Sequence, residues 1–284
     1  MSNNSDIRVG CPLCSSKATL QLFTKESINY HQCESCFFVF SKPDVNFNFQ
    51  EKIESFEEAY INYFDSSQSD NKNLNLLFKW ISGITDLKNK RVLDVGCGSG
   101  KFVRYLANKG IDVIGLEPSK PLYERYLYDR KVFYNYSVEE FIDIKPGNFN
   151  VITLFDVLEH VEYPAQLIRE ISMLQEENSF LFVEIPLYSS LPASLMGKRW
   201  HFFNKYHLSY FGRKRLTKLF NDSGYQLVNS RLRGKYFNVD YLLNYVKHFM
   251  GVKSNLKFLS FLHGQCIYIN PLDIYIACFR KGSS

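Results

Sequence analysis

The sequence carries Val92-Leu93-Asp94-Val95-Gly96-Cys97-Gly98-Ser99-Gly100, and this stretch decides the fold of the 284-residue chain. Residues 91–95 have the apolar pattern of a short buried strand, and three glycines then stand at every second position. From Lys101 onward, apolar residues recur at helical spacing. A strand, a glycine turn and a helix in this order form a ligand pocket at the carboxyl end of a strand in an α/β sheet.

The spacing of the glycines narrows the class of ligand. Gly96, Gly98 and Gly100 follow the pattern G-x-G-x-G, and Lys101 stands where the dinucleotide fingerprint requires its last glycine. No Gly-Lys-Ser/Thr triplet follows, which excludes a P-loop. A nicotinamide-dependent oxidoreductase is therefore the class of enzyme that the glycine spacing favours least.

Composition indicates an ordinary globular protein. Apolar residues make up 45% of the chain and charged residues 22%, while the aromatic share of 16% is high. The formal charge of +5 falls to +3 if four cysteines bind one zinc ion as thiolates, which weakens a charge-based argument for nucleic acid. No apolar run approaches a membrane span and no signal peptide is visible, so we expect a cytoplasmic protein with reduced cysteines.

Two cysteine pairs near the N-terminus predict a metal site. Cys11 and Cys14 are separated from Cys33 and Cys36 by 18 residues, which is the C-x2-C spacing of a structural zinc site. Two such turns can close a tetrahedron of thiolates around one ion and leave no open position for chemistry. Strand-like stretches at 19–23 and 36–40 predict a zinc ribbon.

Strand and helix patterns alternate after the glycine turn. Further strands are expected at 111–116, 132–136, 149–155 and 179–185, with helices between them. This alternation predicts a parallel sheet covered by helices on both faces. Amphipathic helices are also expected before the sheet, at 49–64 and 74–84, with a polar break at 66–73 between them.

An acidic residue ends the second strand of this unit. Glu117 lies 23 residues after Asp94, at the tip of the neighbouring strand. A carboxylate there is placed to accept hydrogen bonds from both hydroxyls of a ribose. An ordinary glutamate at a helix N-terminus is the alternative interpretation.

The motifs Asp94 to Gly100, Glu117 and Asp156-Val157-Leu158-Glu159-His160-Val161 together resemble the class I S-adenosylmethionine-dependent methyltransferases. This resemblance implies a Rossmann-like α/β fold with a seven-stranded sheet and S-adenosylmethionine as cofactor. It implies that Glu117 holds the ribose and that Ser137, Phe155 and Asp156 flank the adenine or the sulfonium. The implied cofactor-binding residues are Asp94, Gly96, Cys97, Gly98, Gly100, Glu117, Ser137, Phe155 and Asp156.

The zinc ribbon and the aromatic stretch Trp200 to Phe211 resemble methyltransferases of bacterial sugar and surface-glycan pathways. In that group the stretch after the fifth strand forms the acceptor site. We therefore expect a zinc ribbon over 1–45, a helical cover over 46–90 and a methyltransferase domain over 91–284. Acceptor-side insertions are expected at 187–212 and 235–268.

Methyl transfer to an oxygen needs a group that accepts the proton, and an imidazole suits that role. His160 follows the fourth strand at the expected pocket rim and is the first candidate for the general base. His207 is the second candidate and His201 the third, with Tyr206 and Tyr210 as acceptor contacts. A histidine among aromatic residues is often structural, so the choice between these residues stays open.

Other functions remain open at this point. The leading acceptor is a hydroxyl of a sugar or sugar nucleotide. The principal rival is a zinc-ribbon RNA methyltransferase whose phosphate contacts are Lys198, Arg199, Lys205, Arg213, Lys214, Arg215 and Lys218. A non-enzymatic partner protein that binds the cofactor is the third interpretation. Amphipathic segments at 238–250 and 256–262 are candidates for a lid, a homo-oligomer surface, a membrane-lying pair or additional core.

Overall fold

The computed structural model describes residues 10–43, 68–127, 131–239 and 264–282. The amphipathic segments expected at 49–64 and 256–262, and nearly all of the one at 238–250, lie outside the described residues. Among the described helices, none combines the length and apolarity that a membrane crossing requires.

The N-terminal module is an antiparallel sheet of three strands, β1 (Thr19–Lys25), β2 (Ile28–Cys33) and β3 (Val39–Pro43). The sequence pattern predicted a strand at 36–40, whereas β3 begins only at Val39. The reason is that residues 33–38 form the turn that carries the second cysteine pair, and Phe37 adopts a φ of 57° that no strand contains. Strand β2 was not expected from the pattern.

The large sheet contains the seven strands that the resemblance implied. They are β4 (Arg91–Val95), β5 (Asp112–Leu116), β6 (Phe133–Tyr134), β7 (Val151–Phe155), β8 (Phe180–Pro186), β10 (Tyr225–Leu232) and β13 (Ile274–Lys281). Their order is β10-β13-β8-β7-β4-β5-β6, so the strand order reverses at β4. Ligands of open α/β sheets bind beyond the carboxyl ends of the strands at such a reversal.

The sheet is mixed rather than wholly parallel. β13 runs antiparallel to both β8 and β10, between which it is inserted, while the pairs from β8 to β6 are parallel. The alternation of strands and helices predicted parallel pairing, and it correctly describes the part of the sheet that carries the glycine turn. That prediction covered only the strands up to residue 185, and the antiparallel direction of β13 was not predicted.

Seven helices lie in the described part of the chain. They are α1 (Gln68–Ser82), α2 (Lys101–Ala107), α3 (Lys120–Tyr126), α4 (Val138–Asp143), α5 (Pro164–Met173), α6 (Leu191–Met196) and α7 (Arg213–Asp222). The polar break expected at 66–73 is wrong for all but its first two residues, since α1 begins at Gln68. Asp70 in the first turn suits the positive end of the helix dipole, so a polar start is compatible with helix.

The N-terminal module and the large domain share one sheet. β9 (Ser209–Tyr210) pairs antiparallel with β3, which extends the module to four strands. Behind this sheet lies an aromatic cluster in which Tyr30, Trp200 and Phe203 are almost fully buried. The aromatic stretch that the sequence assigns to the acceptor side therefore forms the contact between the two parts.

A small antiparallel ladder of β11 (Lys235–Asn238) and β12 (Cys266–Ile269) lies inside the segment expected to be an acceptor-side insertion. β11 contacts α1 through Asn73, whose side-chain amide donates to the carbonyl of Tyr236 and accepts from its amide, at 2.9 and 2.7 Å. These two hydrogen bonds place β11 beside the first turns of α1.

Candidate active site

The glycine turn after β4 has a conformation that only glycine adopts easily. Gly96 and Gly100 have φ angles of 67° and 72°, in the left-handed region. A Cβ atom on Gly100 would lie 2.6 Å from both Leu127 and Phe133, and one on Gly96 would lie 2.8 Å from Val157. Conformation and close packing therefore both require glycine at these positions.

Glu117 is tied to this turn. Its side chain is buried, and its carboxylate accepts hydrogen bonds from the amide of Gly98 at 2.8 Å and from the amide of Ser119 at 2.9 Å. The carboxylate thus connects the glycine turn to the start of α3. A carboxylate offers about four lone-pair positions, so it can also accept from a ribose hydroxyl.

Asp94 lies beneath the turn and is almost fully buried. Burial raises the pKa of its carboxyl to about 7, and the negative charge of Glu117 raises it as well. The hydroxyl of Thr153 donates a hydrogen bond of 2.5 Å to this carboxyl, which lowers the pKa in part. A cation that entered the site would favour the ionised carboxylate.

A cavity of about 370 Å³ opens at the carboxyl ends of β4, β7 and β8 and is bounded on one side by α1. Seven of the predicted site residues line it: Asp94, Gly96, Cys97, Phe155, Asp156, His160 and His207. Its further lining includes Asp70, Asn73, Lys101, Glu184, Tyr206, Arg233 and Lys235. The cavity therefore joins the glycine turn to the predicted acceptor side.

Ser137 lies outside this lining. Its side chain accepts from the amide of Glu140, and the Glu140 carboxylate accepts from the Ser137 amide, which together form a capping box at the start of α4. Its contact with a cofactor remains a prediction. Gly98, Gly100 and Glu117 also lie outside the lining; the two glycines belong to the turn, and Glu117 accepts a hydrogen bond from it.

The structure brings His160 and His207 together. Their rings are 4.8 Å apart between centroids and nearly perpendicular, although they lie 47 positions apart in sequence. Nδ1 of His160 lies 3.0 Å from the carbonyl oxygen of Tyr206, so this nitrogen carries the proton and Nε2 is the basic one. The short 3₁₀ helix Leu158–His160 at the end of β7 presents this imidazole.

The three other candidates, His201, Tyr206 and Tyr210, do not all line the cavity. His201 is half-exposed, with Nε2 3.9 Å from Asp273, and it does not line the cavity. Tyr210 is buried, and its hydroxyl donates to the carbonyl of His207 at 3.0 Å. Burial raises the pKa of Tyr210, which suits a structural hydroxyl. Tyr206 does line the cavity.

An ion-paired group in the cavity was not expected from the sequence. Glu184 of β8 is fully buried, and both Arg233 and Lys235 pair with its carboxylate, Lys235 at 2.7 Å. Burial alone would raise the pKa of Glu184, but the two cations outweigh it and lower the pKa to about 2. Lys235 also lies 3.2 Å from Asp156. The available signal was Glu184 itself, a single charge in the otherwise apolar strand Phe180–Pro186.

The four N-terminal cysteines converge as their spacing predicted. The Sγ atoms of Cys11 and Cys36 are 3.7 Å apart, those of Cys14 and Cys33 are 3.6 Å apart, and all four lie within 4.8 Å of one another. A tetrahedron of thiolates about 2.3 Å from a zinc ion has edges of about 3.8 Å. The sulfur atoms are therefore spaced to hold one zinc ion.

The two cysteine turns have the same backbone form. The amides of Ser15 and Phe37 donate to the carbonyls of Cys11 and Cys33 at 2.8 and 2.7 Å. Both Ser15 and Phe37 have positive φ angles, of 60° and 57°. Two equivalent turns that face each other are what a closed four-thiolate site requires.

A seven-stranded sheet that reverses at β4, a glycine turn beside it and a carboxylate behind the turn define a class I methyltransferase. The family model described as "Methyltransferase domain" matches residues 70–230, more than half of the chain. The protein belongs to this family of S-adenosylmethionine-dependent methyltransferases, and it is an enzyme.

Curated relatives share the methyltransferase region. The ubiquinone biosynthesis O-methyltransferase of Dechloromonas aromatica is 37% identical over 114 residues, which are 38% of this chain and 49% of that protein. The enzyme of the same name from Nitrosococcus oceani is 30% identical over 191 residues, which are 59% of this chain and 81% of that protein. The chain thus spans about half the length of the first relative and four fifths of the second.

Solved structures confirm the fold. A SAM-dependent methyltransferase from Archaeoglobus fulgidus superposes with a TM-score of 0.52 at 16% identity, covering 73% of this chain and 94% of that one. The 1,6-didemethyltoxoflavin-N1-methyltransferase of Burkholderia thailandensis, solved with S-adenosylhomocysteine, gives a TM-score of 0.51 at 14% identity, covering 87% and 96%. These likenesses confirm the predicted Rossmann-like fold.

Proposed function

We propose that this methyltransferase transfers a methyl group from S-adenosylmethionine to a hydroxyl oxygen of a small molecule bound in the cavity. One observation carries the proposal: the imidazoles of His160 and His207 line the same cavity as Asp94 and Gly96 of the cofactor side. Cofactor and acceptor can therefore meet in one cavity, where proximity lowers the barrier by several kcal/mol.

On the cofactor side, each residue has a role that its position supports. The sulfonium of the methyl donor supplies the activated methyl group. The glycine turn gives the donor close backbone approach, and Glu117 supports the turn from behind while its remaining lone pairs accept from the ribose. The buried Asp94 and the half-exposed Asp156 place negative potential beside the positively charged donor.

On the acceptor side, the proton of a hydroxyl must leave as its oxygen is methylated. Nε2 of His160 is the basic nitrogen of an imidazole whose orientation the carbonyl of Tyr206 fixes. His160 is therefore the first candidate for the general base, and His207, in contact with it, is the second. Both assignments rest on position.

The identity of the acceptor is open between two classes of hydroxyl. The relatives are named for O-methylation in ubiquinone biosynthesis, which favours a phenolic hydroxyl. The resemblance of the zinc ribbon and the aromatic stretch to sugar-pathway methyltransferases favours a sugar or sugar nucleotide. The cavity combines apolar side chains such as Leu77 and Phe102 with the charged Lys235 and Asp156, so its lining favours neither class over the other.

We further propose that the four N-terminal cysteines bind one structural zinc ion. The spacing of their sulfur atoms and the two matching backbone turns support this. A closed four-thiolate site does no chemistry and stabilises the module that carries it.

The test is transfer of labelled methyl from S-adenosylmethionine into small-molecule, polysaccharide and nucleic-acid fractions of a cell lysate. Label in phenolic metabolites or in sugar compounds supports small-molecule O-methylation and identifies the class. Label that is lost on nuclease treatment overturns it in favour of the RNA alternative. No label in any fraction, from protein that binds S-adenosylhomocysteine, also overturns the proposal.

The roles of the two histidines are tested with His160→Ala and His207→Ala on the acceptor so identified. Loss of the base is expected to lower kcat by about 10²–10⁴-fold. His201→Ala is the matched control, because His201 lies outside the cavity lining. Affinity for S-adenosylhomocysteine, measured by calorimetry, should be unchanged in all three variants.

A further inference from the structure

Two basic side chains reach the cavity from the connection between β10 and β11. Arg233 directly follows the last residue of β10, and Lys235 is the first residue of β11. Both line the cavity, with 5% of Arg233 and 15% of the Lys235 side chain exposed. A buried charge is costly unless it is paired, so the groups that face these two cations decide what this part of the cavity binds.

The backbone between the two cations is closely packed. The guanidinium group of Arg233 donates to the carbonyl of Asn73 on α1 at 3.3 Å. A Cβ atom on Gly234 would lie 2.5 Å from the carbonyl oxygen of Ile269 on β12, so there is no room for a side chain at this position. This packing fixes the points from which Arg233 and Lys235 enter the cavity.

One buried carboxylate faces both cations. Glu184 is fully buried and pairs with Arg233 and with Lys235. Glu159 is buried nearby, and burial raises its pKa well above the ordinary value, which favours its neutral form. Glu184 therefore supplies one negative charge for two positive ones. The second negative charge comes from Asp156, whose carboxylate lies 3.2 Å from Nζ of Lys235.

Asp156 lies at the border between the donor side and the acceptor side. It follows the last residue of β7, and its neighbour Val157 lies against Gly96 of the glycine turn. Its side chain is 47% exposed, so a ligand in the cavity can reach it. The methyl donor carries a positive sulfonium, which competes with Lys235 for the carboxylate of Asp156. With the donor bound, the acceptor side therefore keeps one positive charge that no carboxylate fully offsets.

We infer that Lys235 binds an anionic group of the acceptor, a carboxylate or a phosphate, while Arg233 neutralises Glu184. This inference rests on the proposed function and narrows its substrate class to an acidic phenol or a phosphorylated sugar. The anion offsets the charge of Lys235 while Asp156 faces the donor, and it holds the hydroxyl of the same molecule in the cavity that His160 lines. An uncharged acceptor gains nothing from this exchange.

The test compares acidic and uncharged probes on the full-length protein, by calorimetry. The protein is first saturated with sinefungin, a donor analogue that carries an ammonium group in place of the methylsulfonium. Protocatechuate is compared with catechol, and glucose 1-phosphate with methyl glucoside. Wild type is expected to bind one of the two acids about tenfold more tightly than its uncharged counterpart, as one charge-assisted hydrogen bond provides. The pair that shows this preference distinguishes a carboxylate from a phosphate.

Lys235→Met should lose the preference and bind the uncharged probe like wild type, because Glu184 keeps Arg233 as its partner. Lys235→Arg keeps the charge and should keep the preference. Lys214→Met is the matched control, since it removes an exposed lysine of α7 and should leave the preference unchanged. Replacement of sinefungin by S-adenosylhomocysteine, whose sulfur is uncharged, should weaken the preference in wild type.

Two results overturn the inference: wild type that prefers neither acid to its uncharged counterpart, or a preference that survives in Lys235→Met. Failure of the proposed function has a different signature. Methyl transfer would be absent while the preference that depends on Lys235 persists, because these binding measurements use an analogue that has no methyl group to transfer.

Discussion

The hydroxyl of Ser41 donates a hydrogen bond of 2.7 Å to the carbonyl oxygen of His207, across 166 residues of sequence. The amide of Ser41 also donates to the carbonyl of Leu208 at 2.9 Å. Ser41 belongs to β3 of the cysteine module, and His207 lines the active-site cavity. The cysteine module therefore contacts the backbone of His207, a candidate catalytic residue in the cavity lining.

Ser41→Ala is expected to reduce turnover without affecting cofactor binding. The variant leaves the buried carbonyl of His207 with one hydrogen bond fewer, a loss of about 1 kcal/mol that loosens the imidazole. We expect kcat to fall about fivefold and the affinity for S-adenosylhomocysteine to remain. Ser230→Ala is the control, because Ser230 is exposed on β10 and outside the module. A Ser41→Ala enzyme with wild-type kcat would show that the module does not position His207.

Loss of zinc is expected to impair methyl transfer at the acceptor side more readily than it impairs cofactor binding. Cys33→Ser removes a thiolate that lies fully buried against the core, so the zinc content should fall by one equivalent and the module should loosen. The glycine turn depends on β4, β5 and α3 rather than on the module. Methyl transfer should therefore be lost while calorimetry still detects S-adenosylhomocysteine. Loss of S-adenosylhomocysteine binding in a variant that still transfers methyl groups would contradict this.

Gly100→Ala is expected to abolish cofactor binding or destabilise the fold by several kcal/mol. The new methyl group would meet Leu127 and Phe133 at 2.6 Å, in addition to the cost of a positive φ. Gly110→Ala is the matched control, because Gly110 has a φ of 75° but no atom within 4 Å of the added Cβ. Comparison of the two melting temperatures isolates the packing cost. Equal losses would mean that backbone conformation alone requires the glycine.

Asp94 predicts a specific pH dependence of stability. Its pKa is about 7 in the folded chain and near 3.8 when unfolded, so between these values the unfolded state has lost the proton that the folded state keeps. Stability should therefore fall as pH rises from about 4 to 7, by about 1.4 kcal/mol for each unit of pKa difference. Asp94→Asn should remove this contribution, so its advantage in melting temperature over wild type should grow from pH 4 to pH 7.

Asp94→Asn should at the same time weaken cofactor binding, because the variant lacks the negative charge that faces the cationic donor. Thr153→Val is a useful comparison, as it keeps Asp94 but removes the hydroxyl that stabilises the ionised form. The Thr153→Val variant should raise the pKa of Asp94 further, so the loss of stability should extend to higher pH. A constant difference between Asp94→Asn and wild type from pH 4 to 8 would contradict the assignment.

Local sequence patterns were sufficient for the cofactor half of the molecule. The strand Arg91–Val95, the glycine turn and Glu117 all lie where the pattern predicted, because each depends on contacts within one βαβ unit. The cysteine cluster could be predicted equally well from the sequence, since two residues between a pair of cysteines are the length of one turn. The start of α1 at Gln68 was missed, because residues 68–73 contain no apolar side chain and so show no apolar periodicity.

The chain by itself determined the fold class, the cofactor motif and the cysteine spacing, because these are short-range features set by backbone conformation and alternation of apolar residues. Only the tertiary structure decided what the acceptor side is made of. The contact between His160 and His207 and the ion pairs of Glu184 with Arg233 and Lys235 join residues far apart in sequence. Pairing across such distances leaves no periodic trace in the sequence, since it arises when packed strands bring their ends to one edge of the sheet.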